Sequence, residues 1–264
     1  MFDPNDYEPI DLSIGLESGV DSEPWPPEIE YFDHEAGAEL LAERLRDMGF
    51  DVRAEDFPEG LGLGWEELTA ITHTGTHMDA PWHYGPTVDG DSARTIDEIP
   101  LAWATGLAVV LDFTWKEPGT EITPTEIDDQ LAEVNHELSS GDIVLLETGA
   151  DERWGTPVYL TEFPGMGRAA TKHLVEQGVR VIGTDAYGFD KPFGRMGTRF
   201  ADSGDDEELW PAHFAGREAE YCQIEKMANL DALPRRTGIP LVTAPIKIEN
   251  GSAGWVRPVA FVER

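Results

Sequence analysis

The sequence predicts a mixed α/β protein built around a buried sheet, and three observations predict it. Short runs rich in Val, Ile and Leu recur along the chain, at Leu107 to Phe113, Ile143 to Leu146, Val179 to Gly183, Leu241 to Ile246 and Val256 to Val262. Segments with helical spacing of apolar residues are interspersed with them, which is the pattern of helices packed on a covered sheet. The 264 residues are 40% hydrophobic and show no repeat, low-complexity tract or long linker, so one domain spanning 1–264 is expected.

The elements follow in chain order. Residues 1–32 are rich in Pro and acid, end in Pro24-Trp25-Pro26-Pro27, and are expected to wrap over the body as a loop. Residues 35–48 read as an amphipathic helix through Leu40, Leu41, Leu45 and Met48, with Asp33 to cap its start and Gly49 its end. Thr123-Pro124-Thr125-Glu126 signals a second helix: Thr123 as N-cap, Pro124 as first helical residue, Glu126 as the capping-box partner. A third is expected from about Gly165 to Gln177, stopped by Gly178. Strand order is not readable from these signals.

Charge excludes whole classes of function. With 19 Lys+Arg against 52 Asp+Glu the formal charge is −33, and nucleic acid or anionic membrane as a partner would need a basic footprint. A single cysteine, Cys222, rules out an intrachain disulfide or a Cys-only zinc cluster. No apolar run approaches a membrane span, and the acidic start MFDPNDYEPIDL lacks a signal-peptide stretch, so a cytoplasmic protein is expected. Only 5 of the basic residues are Lys, and the acid excess fits molar intracellular salt, where a Debye length of about 3 Å screens self-repulsion. A high-salt organism is the expectation. Neither G-x-S-x-G nor a glycine-rich phosphate loop occurs.

The chemistry concentrates in Ile71 to His83. Three of the seven histidines, His73, His77 and His83, fall within eleven residues together with Asp79. Thr72, Thr74, Gly75, Thr76 and Pro81 argue against a helix. With the period of a strand, His73, His77 and Asp79 point to one side, and imidazole plus carboxylate suits a borderline divalent ion such as Zn²⁺ or Mn²⁺. Pro81 turns the chain and takes His83 out of the row, where it suits a general acid/base. Elsewhere His34, His136 and His173 read as surface or packing residues. His213, after Trp210-Pro211-Ala212, precedes Glu225 by twelve positions.

His73-Thr-Gly-Thr-His77-Met-Asp79-Ala-Pro-Trp-His83 resembles the HxGTHxDxPxH signature of the cyclase family of metal-dependent hydrolases, which includes bacterial kynurenine formamidases and isatin hydrolases. Asp11-Leu12-Ser13 with Pro24-Trp25-Pro26 is similar to the family's opening segment. Leu160 to Gly165 and Val181 to Asp185 resemble its middle, and Pro211-Ala212-His213 with Ile224-Glu225 and Asn229-Leu230 its final metal-binding segment.

The resemblance implies a swivelling β/β/α-type fold with a central barrel-like mixed sheet and peripheral helices, assembled as a homodimer or homotetramer. It implies that His73 and His77 bind one metal, that Asp79 and Glu225 bridge to a second held by His213, and that His83 donates and accepts the proton. One or two Zn²⁺ ions are expected, or Mn²⁺. Trp25 matches an aromatic that contacts substrate, and Tyr187, with Phe189, falls where the family pattern breaks and is expected to line the pocket. The implied reaction is hydrolysis of a small amide, first an arylformamide such as N-formylkynurenine. Isatin-like cyclic amide or lactone opening, and a non-catalytic metal-binding homologue, are the alternatives.

Overall fold

A computed structural model of the chain describes residues 6–264, and Cα proximity divides it into two compact units. The larger comprises described residues 6–16, 20–24 and 72–264, and is built on a mixed nine-stranded sheet that curls as a half-barrel. Its strands are Tyr7–Asp11 (β1), His77–Asp79 (β2), Thr105–Asp112 (β3), Asp142–Glu147 (β4), Val181–Thr184 (β5), Cys222–Glu225 (β6), Ile239–Val242 (β7), Ala253–Trp255 (β8) and Val259–Glu263 (β9). The order across the sheet is β1-β9-β7-β3-β4-β5-β6-β2-β8. β3 to β6 run parallel and the flanking strands are antiparallel.

The apolar runs are continuous because both faces of the parallel strands are covered. Ala108 and Val110 of β3 point into one core with Ile143, Leu145, Val181 and Ile224. Val109 and Leu111 point into another with Val144, Leu146 and Ile182. The second core is closed by two helices, Pro124–Glu133 and Arg168–Glu176, through Ile127, Leu131, Ala170 and Leu174. Thr123 caps the first of these as the sequence indicates: its hydroxyl accepts from Glu126 N, and the Glu126 carboxylate accepts from Thr123 N at 2.8 Å.

Residues 17–19 and 25–71 form the smaller unit. An antiparallel pair, Glu28–Phe32 with Trp65–Thr69, stacks Phe32 on Trp65 at 4.7 Å. The helix His34–Asp47 follows, and its N-cap Asp33 accepts from Ala36 N at 3.0 Å.

Several expectations change. The N-terminal segment carries two strands instead of running as loop throughout. β1 is an edge strand, a place that tolerates Pro9 because one side of its backbone makes no ladder bonds. Residues 1–5 of that segment lie outside the described residues. The third helix starts at Arg168, because Gly165–Met166 pairs with Glu121–Ile122. β7 ends at Val242, ahead of Pro245. No helix among the described residues is long and apolar enough to cross a membrane.

Candidate active site

The site is assembled on the β2–β6 pair. Antiparallel register sets Gln223 opposite Asp79 and Glu225 opposite His77, and alternation puts these four side chains on one face. Met78 and Ile224, between them, point into the core on the other. His73 is not part of the strand as the spacing predicts. It sits in the turn before β2, where Gly75 adopts φ +65°, and the turn brings its ring back to Asp79. Pro81–Tyr84 forms one helical turn with Pro first, which carries His83 to the same cluster. His213 arrives on the short helix Pro211–Ala215.

The distances define two sides of a carboxylate pair. On one side Asp79 Oδ1 lies 2.8 Å from His73 Nδ1 and 3.3 Å from His77 Nε2, and Glu225 Oε2 lies 3.7 Å from His77 Nε2. On the other, His213 Nε2 is 3.8 Å from Asp79 Oδ2 and 3.7 Å from Glu225 Oε1, while His83 Nε2 is 3.8 Å from Asp79 Oδ2. Phe189 N donates to Glu225 Oε1 at 2.9 Å. His73 and His83 keep 24% and 32% of their side-chain surface exposed against 1% for His77 and Asp79, so the site opens to solvent past the first two.

Three imidazoles are oriented from behind. His77 Nδ1 donates to Gly75 O at 2.8 Å, His73 Nε2 contacts Ser252 Oγ at 3.2 Å, and His213 Nδ1 donates to Asp190. Each leaves its other nitrogen aimed at the carboxylates, the arrangement that fixes tautomer and ring direction in metal-binding histidines. Asp190 also accepts from Ala212 N at 2.6 Å, anchoring the helix that carries His213.

Electrostatics within the cluster are strongly opposed. Burial works against charge on Asp79, but His83, His77 and His73 outweigh it and hold its carboxyl well below the usual range. Burial raises Glu225, and the neighbouring Asp79 adds to the shift. Burial pushes His83 down to about 4, so at neutral pH it is an imidazole able to accept a proton. For His213 burial opposes the charge, yet the hydrogen bond and charge of Asp190 raise it to about 9.

A second, buried ion pair braces the His73 turn. Lys226 Nζ donates to both Glu23 carboxylate oxygens at 2.8 Å and to His73 O at 2.9 Å, while Glu23 Oε1 accepts from Gly75 N at 2.8 Å.

The structure therefore brings together six of the sequence-predicted residues, His73, His77, Asp79, His83, His213 and Glu225. Tyr187 sits in a satellite aromatic cluster with Tyr159 and Phe163, and meets the site through Lys226, whose ammonium lies 4.9 Å over its ring. Trp25 belongs to the smaller unit. His136 and His173 contact Asp142 and Asp128 instead of the cluster. Gln223, Asp190 and the Glu23–Lys226 pair escape sequence reasoning. Only Gln223 carried a signal, standing two residues before Glu225 and so on the same strand face.

A family model named Cyclase, described as "Putative cyclase", matches residues 10–191, more than half of the chain. The chain belongs to the cyclase family. Among the relatives of this cyclase-family chain, an isatin hydrolase of Roseibium aggregatum is 26% identical over 78% of this chain and 78% of its own length. A kynurenine formamidase of Salinibacter ruber is 30% identical over 79% of this chain and 84% of its own. An isatin hydrolase solved with the product analogue thioisatinate superposes with a TM-score of 0.74 at 23% identity, covering 98% of this chain and 94% of that one. These named relatives are hydrolases.

Among the described residues, two groups of side chains offer ligand atoms that lie within 4.8 Å of one another: His73, Asp79 and His83, and His77, Asp79 and Glu225. Buried His77 Nε2 and Asp79 Oδ1 make no well-aligned hydrogen bond, although His73 Nδ1 lies 2.8 Å from the carboxylate oxygen, and this is costly unless something else satisfies them. Two such atoms converging beside the His73 imidazole fit a divalent cation.

Proposed function

We propose that this chain is a metal-dependent hydrolase that cleaves the carbon–nitrogen bond of a small amide, an arylformamide such as N-formylkynurenine first among them. The observation that carries it is the pair of buried donor atoms on His77 and Asp79, without a well-aligned hydrogen bond, beside His73. His73 Nδ1, His77 Nε2 and Asp79 Oδ1 would hold Zn²⁺ or Mn²⁺, with Glu225 Oε2 facing the same position. A cation there supplies a lowered pKa for water and a positive charge to offset the oxyanion of acyl transfer.

The protein's own groups supply the proton traffic. His83, half-open to solvent and beside Asp79 Oδ2, would take the proton from the attacking water at Nε2 and return it to the leaving nitrogen. Amine departure depends on that return, because an amide anion is a poor leaving group. His83→Ala is expected to keep its metal and lose hydrolysis by about 10²–10⁴-fold, the usual worth of a positioned acid/base. Metal analysis beside steady-state rates checks it, and wild-type turnover would remove His83 from the mechanism.

The reading as a whole is tested with formanilides, isatin and a lactone, each with and without chelator. Chelator-sensitive formanilide cleavage is the expected result. Selective opening of isatin would move the substrate to a cyclic amide with the same machinery, as the named function of the Roseibium relative suggests. No hydrolysis of any substrate by metal-loaded protein would leave a metal-binding homologue.

The assay belongs in molar salt. We also propose a cytoplasmic protein of a high-salt organism, on the strength of the −33 charge. Screening should then raise the melting temperature between dilute buffer and molar KCl. Equal or greater stability in dilute buffer would refute this.

A further inference from the structure

Gln223 stands where a second cation would otherwise bind. Its amide nitrogen lies 3.0 Å from Asp79 Oδ2, 2.9 Å from Glu225 Oε1 and 2.8 Å from His213 Nε2. These are the three atoms that face away from the His73–His77 side, and they would make a three-ligand site of their own. Zinc bonds to such atoms measure about 2.0–2.2 Å. The amide nitrogen already touches all three, so a cation bonded to them would be crowded against it.

The orientation of the amide is set from the other end. The Tyr221 hydroxyl, shared with Ala212 O at 3.0 Å, reaches Gln223 Oε1 at 2.9 Å. This turns the NH₂ toward the carboxylates. Tyr221 is itself fully buried and stacked on Tyr84 at 5.0 Å, and Tyr84 Oη accepts from Gln223 N at 3.1 Å. The side chain is held by hydrogen bonds at both ends of its amide, and its backbone is held by strand pairing on β6.

We propose that this chain binds a single divalent ion, on the side of His73, His77 and Asp79 Oδ1, and that the Gln223 amide fills the second position. The two carboxylates then divide their oxygens. One oxygen of each faces the cation, and the other accepts an N–H of Gln223 in place of a second positive charge. His213 is thereby held between the Gln223 amide at Nε2 and Asp190 at Nδ1, bound to no metal. The proposal rests on the metal-dependent reading above.

Metal stoichiometry separates the two. The chain is saturated with excess Zn²⁺ or Mn²⁺, desalted in molar KCl, and its metal counted by mass spectrometry against protein concentration, with circular dichroism as the check on folding. One ion per chain is expected for wild type and for His213→Ala, and two for Gln223→Ala, which opens the position between Asp79, Glu225 and His213. Gln223→Met, which fills a similar volume without adding a charge or a carboxylate ligand, is expected to stay at one. Two ions in the wild type, loss of the ion in folded His213→Ala, or one ion in Gln223→Ala would overturn the proposal. A folded wild type with no ion would overturn the metal-dependent reading instead.

Discussion

His77→Ala is expected to strip the chain of its divalent metal and to abolish hydrolysis with it. The ring is buried, its Nδ1 is committed to Gly75 O, and its Nε2 has no partner but the position a cation would take. Losing an outer-shell partner of a metal ligand typically costs about 10–100-fold in affinity or activity, and losing the ligand itself should cost more. The alanine also removes one imidazole from beside Asp79, so the remaining carboxylate holds any ion less well. Metal content by mass spectrometry, read beside the formanilide rate, decides the matter. A variant retaining the wild-type complement of metal and the wild-type rate would remove His77 from the centre.

Lys226→Met is expected to be the most damaging change outside the ligand set. Lys226 and Glu23 are 4% and 3% exposed at their side chains, so the substitution leaves a buried carboxylate without its countercharge. Breaking such a pair from one side costs about 3–5 kcal/mol, a large part of the ~5–15 kcal/mol that holds a typical domain together. The loss falls on the turn that presents His73, since Lys226 also donates to His73 O and Glu23 accepts from Gly75 N. Metal affinity should therefore fall along with stability. Pairing it with Glu23→Gln should recover part of the loss, because an uncharged amide is cheaper to bury than an orphaned carboxylate. Denaturant unfolding of both variants tests this, and a Lys226→Met midpoint equal to wild type would show the pair to be dispensable.

What could be read from the sequence was local. The Thr123–Glu126 capping box, the helix after Asp33, and the crowding of His73, His77, Asp79 and His83 each lie within one short segment, where spacing alone carries the signal. β6 was not readable, and the reason is its polarity. One face of Cys222–Glu225 is buried but polar, with Gln223 and Glu225 where a strand pattern leads one to look for apolar residues. The helix Phe193–Ser203 escaped for a different cause: Met196 is its only buried residue, and Gly194 and Gly197 are poor helix formers. Asp190 and Lys226 act on residues brought to them by tertiary folding, 23 and 153 positions away in the case of His213 and His73.

The order of synthesis follows from the strand order. β2, which carries His77 and Asp79, takes both its neighbours from far downstream, since Gln223 bonds Asp79 across 144 positions and β8 lies later still. While the chain is emerging from the ribosome, the signature segment is therefore exposed long before Glu225, Ser252 or the β8 backbone exist to enclose it. A nascent chain offers only a loose cluster of imidazoles, and the enclosed centre forms only once β6 and β8 have been made. Contacts this distant also slow folding. Metal capture and final folding should accordingly be one late event, and a ribosome-stalled chain ending before β6 should hold its ion no better than an unstructured histidine peptide.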